Sequence, residues 1–337
     1  MVVHGSSSES SLHALRGVWV CVTGGAGFIG SHVVSALLDA GALVTVLDDL
    51  SSSTSDRLLG LIEAAEPERA RFIHASILEP GALAEAVADA RIVFHLAAMA
   101  SAAQAQEEPV RCVEVNALGT ARVAQAAREA GATRLVYAAS ASAYGETAGP
   151  NRESRAPAPI SPYAAGKLAG EHIVAAWARS RGLDGASLRL FNVYGEGQSP
   201  ESDYAAVIPA FAKRLSANQP PMVYGDGSQT RDFVHVRDVA RAFLLAGAAE
   251  GALDGATVNI GSGRSVSIAE LASLMARLCG AEGLDPIFEP ARPGDIRASE
   301  CDPARANERL AFRAEVPLED GLRALLDGCR GRSRAAV

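Results

Sequence analysis

Two short, almost wholly apolar runs, residues 18–23 (VWVCVT) and 43–47 (LVTVL), flank a segment of helical period at 31–40 that Gly41 closes. Runs this short, apolar at successive rather than alternate positions, predict strands buried on both faces. The alternation continues with strands at 71–74, 92–96 and 134–139 and helices at 81–90 and 116–130. Strands and helices in strict alternation predict an α/β fold, a doubly wound parallel sheet covered by helices on both sides.

Past a proline-rich stretch at 156–159, the pattern predicts a long helix at 162–181 and a strand at 186–191. It then loosens. Short strands are expected near 222–224 and 257–260 and helices from Val236, Ile268 and Leu318, with Pro and Gly frequent between them. The expected organisation is a dinucleotide-binding main domain over 17–190 and a smaller mixed α/β lobe over 191–330, which returns some of its strands to the main sheet. Residues 1–16 are Ser-rich, lack the apolar core of a signal peptide and read as a flexible tail.

Composition narrows the class. Of 337 residues, 48% are hydrophobic and 21% charged, the balance of a compact globular protein. A net charge of −8 speaks against a broad surface for nucleic acid or anionic membrane. No apolar run approaches the ~18 residues of a membrane span, so a cytoplasmic protein is expected. Cys21, Cys112, Cys279, Cys301 and Cys329 are odd in number and scattered, and the seven His residues are dispersed. Reduced thiols are expected rather than disulfides, and no metal site is implied.

The candidate chemistry begins at Gly24-x-x-Gly27-x-x-Gly30, between the first strand and its helix. There the backbone N–H groups around Phe28 and Ile29 and the helix dipole can face a pyrophosphate, which makes the sheet Rossmann-type. Asp48 ends the second strand about twenty residues on, where a carboxylate accepts from ribose hydroxyls and repels a 2′-phosphate; NAD is expected over NADP. Tyr163 and Lys167 are four apart on one helix and share a face. A phenol of pKa near ~10 becomes a useful base when cations lower it by ~3 units, about 4 kcal/mol, and the Lys167 ammonium with a nicotinamide ring can supply that. Ser140 follows the strand 134–139, whose end opens on the cofactor crevice, and its hydroxyl can bond the oxygen that exchanges a proton with Tyr163. Ser142 either assists or belongs to an ordinary Ser-rich turn.

These motifs, with His95-Leu96-Ala97-Ala98, Asn116, Tyr144-Gly145, the run from Leu188 through Asn192 to Gly195, the run from Gly225 through Arg231 to Phe233, and Arg292-Pro-Gly-Asp295, resemble the extended short-chain dehydrogenase/reductases of the nucleotide-sugar epimerase and dehydratase branch. The resemblance covers about residues 18–325. It implies bound NAD that takes hydride from C4 of a UDP-sugar while Tyr163 accepts the hydroxyl proton, aided by Ser140 and Lys167. Leu96, Ala97, Ala98, Ser76 and Ile77 then belong to the cofactor site, Ser76 standing where the family usually has Asp. Ser142, Asn192, Val207, Arg231, Arg292, Asp295 and Ser299 belong to the substrate site. A homodimer built on the helices at 116–130 and 162–181 is also implied.

Within the branch, Ser140-Ala141-Ser142 lacks the carboxylate that dehydratases and decarboxylases resembling this chain carry at that turn, which favours epimerisation. Ser299, in place of the bulky Tyr of glucose-restricted epimerases, leaves room for an N-acetyl group, and the segment 198–211 resembles UDP-N-acetylglucosamine 4-epimerases. The implied substrate is UDP-glucose or UDP-N-acetylglucosamine. Met99 and Ala105 stand where polar residues are common near the sugar, and Glu196-Gly197 replace the frequent Pro-Arg. These departures keep open a UDP-glucuronate decarboxylase or 4-epimerase of a specialised pathway, and a catalytically silent NAD- and nucleotide-sugar-binding protein.

Overall fold

The computed structural model describes residues 13–54, 56–66, 68–198, 206–292 and 296–335. The strands of the first half are β1 (Trp19–Thr23), β2 (Leu43–Asp48), β3 (Ala70–His74), β4 (Ile92–His95), β5 (Arg134–Ser140) and β6 (Asp184–Leu190). The second half adds β7 (Asn192–Tyr194), β8 (Met222–Tyr224), β9 (Thr230–His235), β10 (Ala256–Ile260), β11 (Ser265–Ser267), β12 (Ile287–Glu289) and β13 (Ala298–Ser299).

The main sheet has seven strands in the order β10-β6-β5-β4-β1-β2-β3, all pairs parallel. Successive side chains of the apolar strands feed two cores. On one face Val20, Val22, Val44, Val46 and Phe94 pack under the Phe28–Asp39 and Val236–Ala248 helices. On the other, Cys21, Leu47, Val93, Leu135 and Tyr137 meet Leu83, Val123 and Val174 from the covering helices. Helix Val236–Ala248 and strand β10 therefore come from the later half of the chain yet complete the main sheet. Phe243 closes on Phe94 with centroids 6.4 Å apart and rings near edge-to-face, a favoured aromatic geometry.

The smaller lobe gathers Phe211, Phe233, Leu271, Met275, Leu322 and Leu326 into a core of its own. Its β9 pairs with β7, β11 and β13, and β8 with β12. The helix expected at 116–130 differs: Pro109–Val113, a π-helical turn at Glu114–Gly119 and Thr120–Glu129 follow one another. The π turn carries Asn116, whose Oδ1 accepts from the Met99 amide at 2.8 Å and whose Nδ2 donates to the Met99 carbonyl at 3.1 Å. That pairing holds the loop after β4 against the helix, and π turns recur at functional sites. Among the described residues no helix is long and apolar enough to cross a membrane.

Candidate active site and cofactor cradle

The sheet order reverses beside β1, where β4 lies on one side and β2 on the other, so the crevice of a doubly wound fold opens at the carboxyl ends of these strands. Gly24 leaves β1 with φ +74° and packs on the loop after β4; a Cβ there would stand 2.5 Å from the Ala97 nitrogen. Gly30 is tighter still, a Cβ meeting the Gly24 carbonyl oxygen at 2.0 Å. Gly27 caps helix Phe28–Asp39 with no side-chain hydrogen bond, leaving the first N–H groups of that helix for another acceptor. Asp48 closes the cradle: its Oδ2 accepts from the Ala26 amide and its Oδ1 from the Leu50 amide, each at 2.9 Å. Burial pushes this carboxyl up, and the Leu50 and Ala26 amides oppose the shift. The loop thus presents a helix N-terminus and a carboxylate at the end of β2, donors and acceptor that suit a dinucleotide.

The other expected cofactor residues lie around the same crevice. The Leu96 amide donates to the Thr23 carbonyl at 2.9 Å, and the Ala97 amide to Thr23 Oγ1 at 3.4 Å. Thr23 Oγ1 is 2.7 Å from His95 Nδ1, and His95 Nε2 is 3.0 Å from Thr120 Oγ1, which donates to the Asn116 carbonyl. Burial lowers His95 to about 3, so it serves this chain as a neutral ring. The Ser76 amide donates to Glu79 Oε1 at 2.9 Å, and Ile77 is buried against Gly119. Ala98 is half-buried.

Helix Pro162–Ser180 brings Tyr163 and Lys167 to the end of β5. The Ser140 hydroxyl is a polar neighbour of the Tyr163 phenol, and Ser142 Oγ donates to Ser140 Oγ at 2.8 Å. Lys167 is buried; its Nζ donates to the Ala138 carbonyl at 2.8 Å and lies 5.0 Å from the Tyr137 ring centroid. Burial lowers Lys167 to about 8. Burial raises the Tyr163 phenol; the neighbouring Ser140 hydroxyl opposes the rise and Cys112 adds to it. Lys167 gives one of its three ammonium protons to the Ala138 carbonyl, which places its charge at the base of the site.

Between the two lobes opens a cavity of about 610 Å³. Phe28 and Ile29 of the cradle, Tyr163, Asn192, Val207, Arg231 and Arg292 all line it. Asn192 Nδ2 donates to the Asp232 carbonyl at 3.0 Å, and Arg292 lies 3.9 Å over the Tyr224 ring. Other expected residues stand elsewhere. Ser142 supports Ser140 rather than lining the cavity, and Ser299 is buried in β13 beside Arg231. Ala105 is fully buried and Met99 is pinned through its backbone, so Ala100 forms that wall instead. Asp295 lies outside the described residues.

Residues 20–261 match the family model described as NAD dependent epimerase/dehydratase family. The chain belongs to this family. It is 39% identical over 318 residues to the UDP-glucose 4-epimerase of Mycolicibacterium smegmatis, covering 93% of this chain and 99% of that protein. Its fold is similar to the UDP-N-acetylglucosamine 4-epimerase of Methanobrevibacter ruminantium, solved with UDP-N-acetylmuramic acid, with TM-score 0.88, 32% identity and coverage of 94% and 99%. The UDP-glucose 4-epimerase of Thermotoga maritima, solved with UDP-glucose, gives TM-score 0.86 and 34% identity over 94% of this chain and all of that one. The cofactor of the family is NAD, and the cradle described above fits it: Gly24 and Gly30 leave no room for side chains, and Asp48 offers a carboxylate where a 2′-phosphate would be repelled.

Gln198, Tyr224 and Gln229 also line the cavity, and Gln229 Nε2 donates to the Tyr224 carbonyl at 2.6 Å, steadying the ring under Arg292. Gln198 and Gln229 fall inside segments singled out in the sequence without a role of their own, and Tyr224, one residue before the run that begins at Gly225, was missed. Among the described residues no group of three His, Cys, Asp or Glu is placed to hold a metal.

Proposed function

We propose that the protein is an NAD-dependent UDP-sugar 4-epimerase that works through a 4-keto sugar, with UDP-glucose or UDP-N-acetylglucosamine as substrate. The observation that carries this reading is one cavity lined by a proton-transfer group, Tyr163, by the cradle residues Phe28 and Ile29, and by two guanidinium groups, Arg231 and Arg292. NAD, held by the cradle around Gly24, Gly30 and Asp48, would supply the hydride acceptor and donor for C4 of the sugar. Tyr163 takes the C4 hydroxyl proton and later gives it back, with Ser140 holding the same oxygen in line. Lys167 sits buried at the end of β5, where it can hold a ribose of the cofactor. Arg231 and Arg292 neutralise the diphosphate, and Asn192 and Val207 border it. Asp295 we assign to the nucleotide ribose, and Ser299 to the sugar end by its small size.

Neutral sugars suit the lining best. Among the described residues its only charged side chains are Arg231 and Arg292, so a hexuronate carboxylate meets no cation beyond those that face the diphosphate. The turn Ser140-Ala141-Ser142 likewise offers no carboxylate for a proton at C5. Incubation with UDP-glucose, UDP-N-acetylglucosamine and UDP-glucuronate separately, followed by mass and NMR analysis, tests the reading. The expected product has unchanged mass and inverted C4 from a neutral sugar. Loss of carbon dioxide or of water would instead make the protein a decarboxylase or dehydratase, and NAD bound without any turnover a silent binding protein.

The free thiols Cys21, Cys112 and Cys301 suit a reducing compartment, which supports a cytoplasmic location. A homodimer is supported by the surface around the π turn. Val110, Val113 and Leu118 are exposed there, Val110 by 82%, more apolar area than a lone surface residue presents. Val110→Glu combined with Leu118→Glu is expected to give a monomer by light scattering; an unchanged mass would remove this face as the interface.

A further inference from the structure

Glu196 stands between two glycines of positive φ, Gly195 at +152° and Gly197 at +90°. Neither leaves space for a side chain: a Cβ on Gly195 would lie 2.5 Å from Val236 Cγ1, and one on Gly197 would lie 2.3 Å from Arg57 Nη1. The turn is thereby pressed between the helix that starts at Val236 and the helix Asp56–Ala64 that follows β2. Glu196 fills it with contacts from both sides of the crevice.

Its backbone carbonyl accepts from His32 Nε2 at 2.8 Å and from Arg57 Nη1 at 3.1 Å. A carbonyl only accepts, so His32 carries its proton on Nε2, and Nδ1 accepts from Arg57 Nη2 at 3.3 Å. Its carboxylate faces the other lobe. Oε1 accepts from Arg237 Nη2 at 3.0 Å, and Oε2 lies 3.3 Å from His235 Nε2. His235 Nδ1 accepts from the Arg237 amide at 3.3 Å, which leaves the ring proton on Nε2, close to Glu196 Oε2 but outside hydrogen-bond geometry.

Both ends of this cluster reach the cavity. His32 meets the Phe28 ring edge-on at 5.9 Å, and Phe28 lines the cavity on the cradle side. Gln198, two residues beyond Glu196, and Val193 and Tyr194 before it line the opposite side. One residue, standing where Pro is frequent in the family, thus joins the glycine-rich loop to the rim.

We propose that Glu196 is a positioning residue, tying the rim of the substrate cavity to the glycine-rich loop so that nucleotide sugar and NAD are held against one another. The proposal rests on reading the cavity as the nucleotide-sugar site. Glu196→Gln keeps the carbonyl contacts and removes the charge from the carboxylate; Arg237→Ala removes its partner at a side chain that is 67% exposed and so leaves the fold intact. In each purified variant the Kd for UDP, by calorimetry, is expected to rise about tenfold, equal to ~1.4 kcal/mol, and NAD is expected to be lost faster on dilution. The double variant is expected to match the singles, since all remove one bond, and Arg237→Lys to restore much of the loss. UDP affinity and NAD loss equal to wild type in both single variants, or effects that simply add in the double, would overturn the proposal. If the wild type itself does not bind UDP, the substrate reading fails, and NAD loss alone decides the role of Glu196.

Discussion

Tyr163→Phe is expected to lower kcat on the neutral UDP-sugar by about 10²–10⁴-fold, the range that one positioned proton-transfer group contributes. The ring stays and only the hydroxyl goes, so the affinities for UDP and NAD should hold close to wild type, and a loss confined to kcat marks a group used in the reaction step. Ser140→Ala removes the polar neighbour of that hydroxyl but not the acid–base group, and a smaller loss is expected. The raised phenol adds a pH signature. A base held above its useful range by burial is protonated at low pH, so activity should rise with pH until the phenolate forms in the loaded enzyme. In Tyr163→Phe the rise should vanish. Turnover by Tyr163→Phe within tenfold of wild type, or an unchanged pH profile, would falsify the assignment.

The reach of the sequence differs between the two halves of the fold. Residues 18–23 and 43–47 read directly as β1 and β2 because both faces of a parallel strand are buried, and an apolar run has no other economical fate there. The glycine loop, Tyr163 and Lys167 were legible for the same reason, since fixed spacing within a strand, turn or helix survives into the structure, whereas Arg231 and Arg292 were implied only by the family resemblance. Contacts made across the chain were not. Helix Val207–Ser216 and strand β9 owe their burial to a lobe core that collects Phe211, Phe233 and Leu271 from distant segments, helix Ala304–Leu310 buries Ala306 and Leu310 in the main-sheet core, and no local period marks either meeting. Likewise the i, i+4 spacing of Tyr163 and Lys167 does not show that the Ala138 carbonyl of β5 receives the Lys167 ammonium. Nor does a local period show that Ser299 lies in a strand paired with β9 and buried beside Arg231.

Glu171→Ala is expected to destabilise the NAD-free protein by about 3–5 kcal/mol, the cost of leaving one partner of a buried ion pair uncompensated. One turn beyond Lys167 on the same helix, Glu171 receives Arg189 through two parallel bonds, Nε to Oε1 at 2.8 Å and Nη2 to Oε2 at 2.7 Å. Both side chains are only 4% exposed, so neither charge regains water when the other is removed. Arg189 also lies 4.5 Å over the Tyr144 ring, and the Tyr144 hydroxyl donates to Asn259 Oδ1 at 2.7 Å. The pair therefore braces the helix bearing Tyr163 and Lys167 against β6, and through Asn259 against β10, the strand that arrives from the far end of the chain. Replacing both partners by apolar residues of similar size, Glu171→Leu with Arg189→Met, removes the stranded charge along with the bond, and that double variant should be markedly more stable than Glu171→Ala. Denaturant unfolding of the three proteins decides it: a Glu171→Ala loss below about 1 kcal/mol, the scale of an exposed pair, or a double variant no better than the single, would show that the ion pair does not carry the helix. The same experiment reaches the catalytic end, since a loosened first half of Pro162–Ser180 must also let Lys167 leave the Ala138 carbonyl.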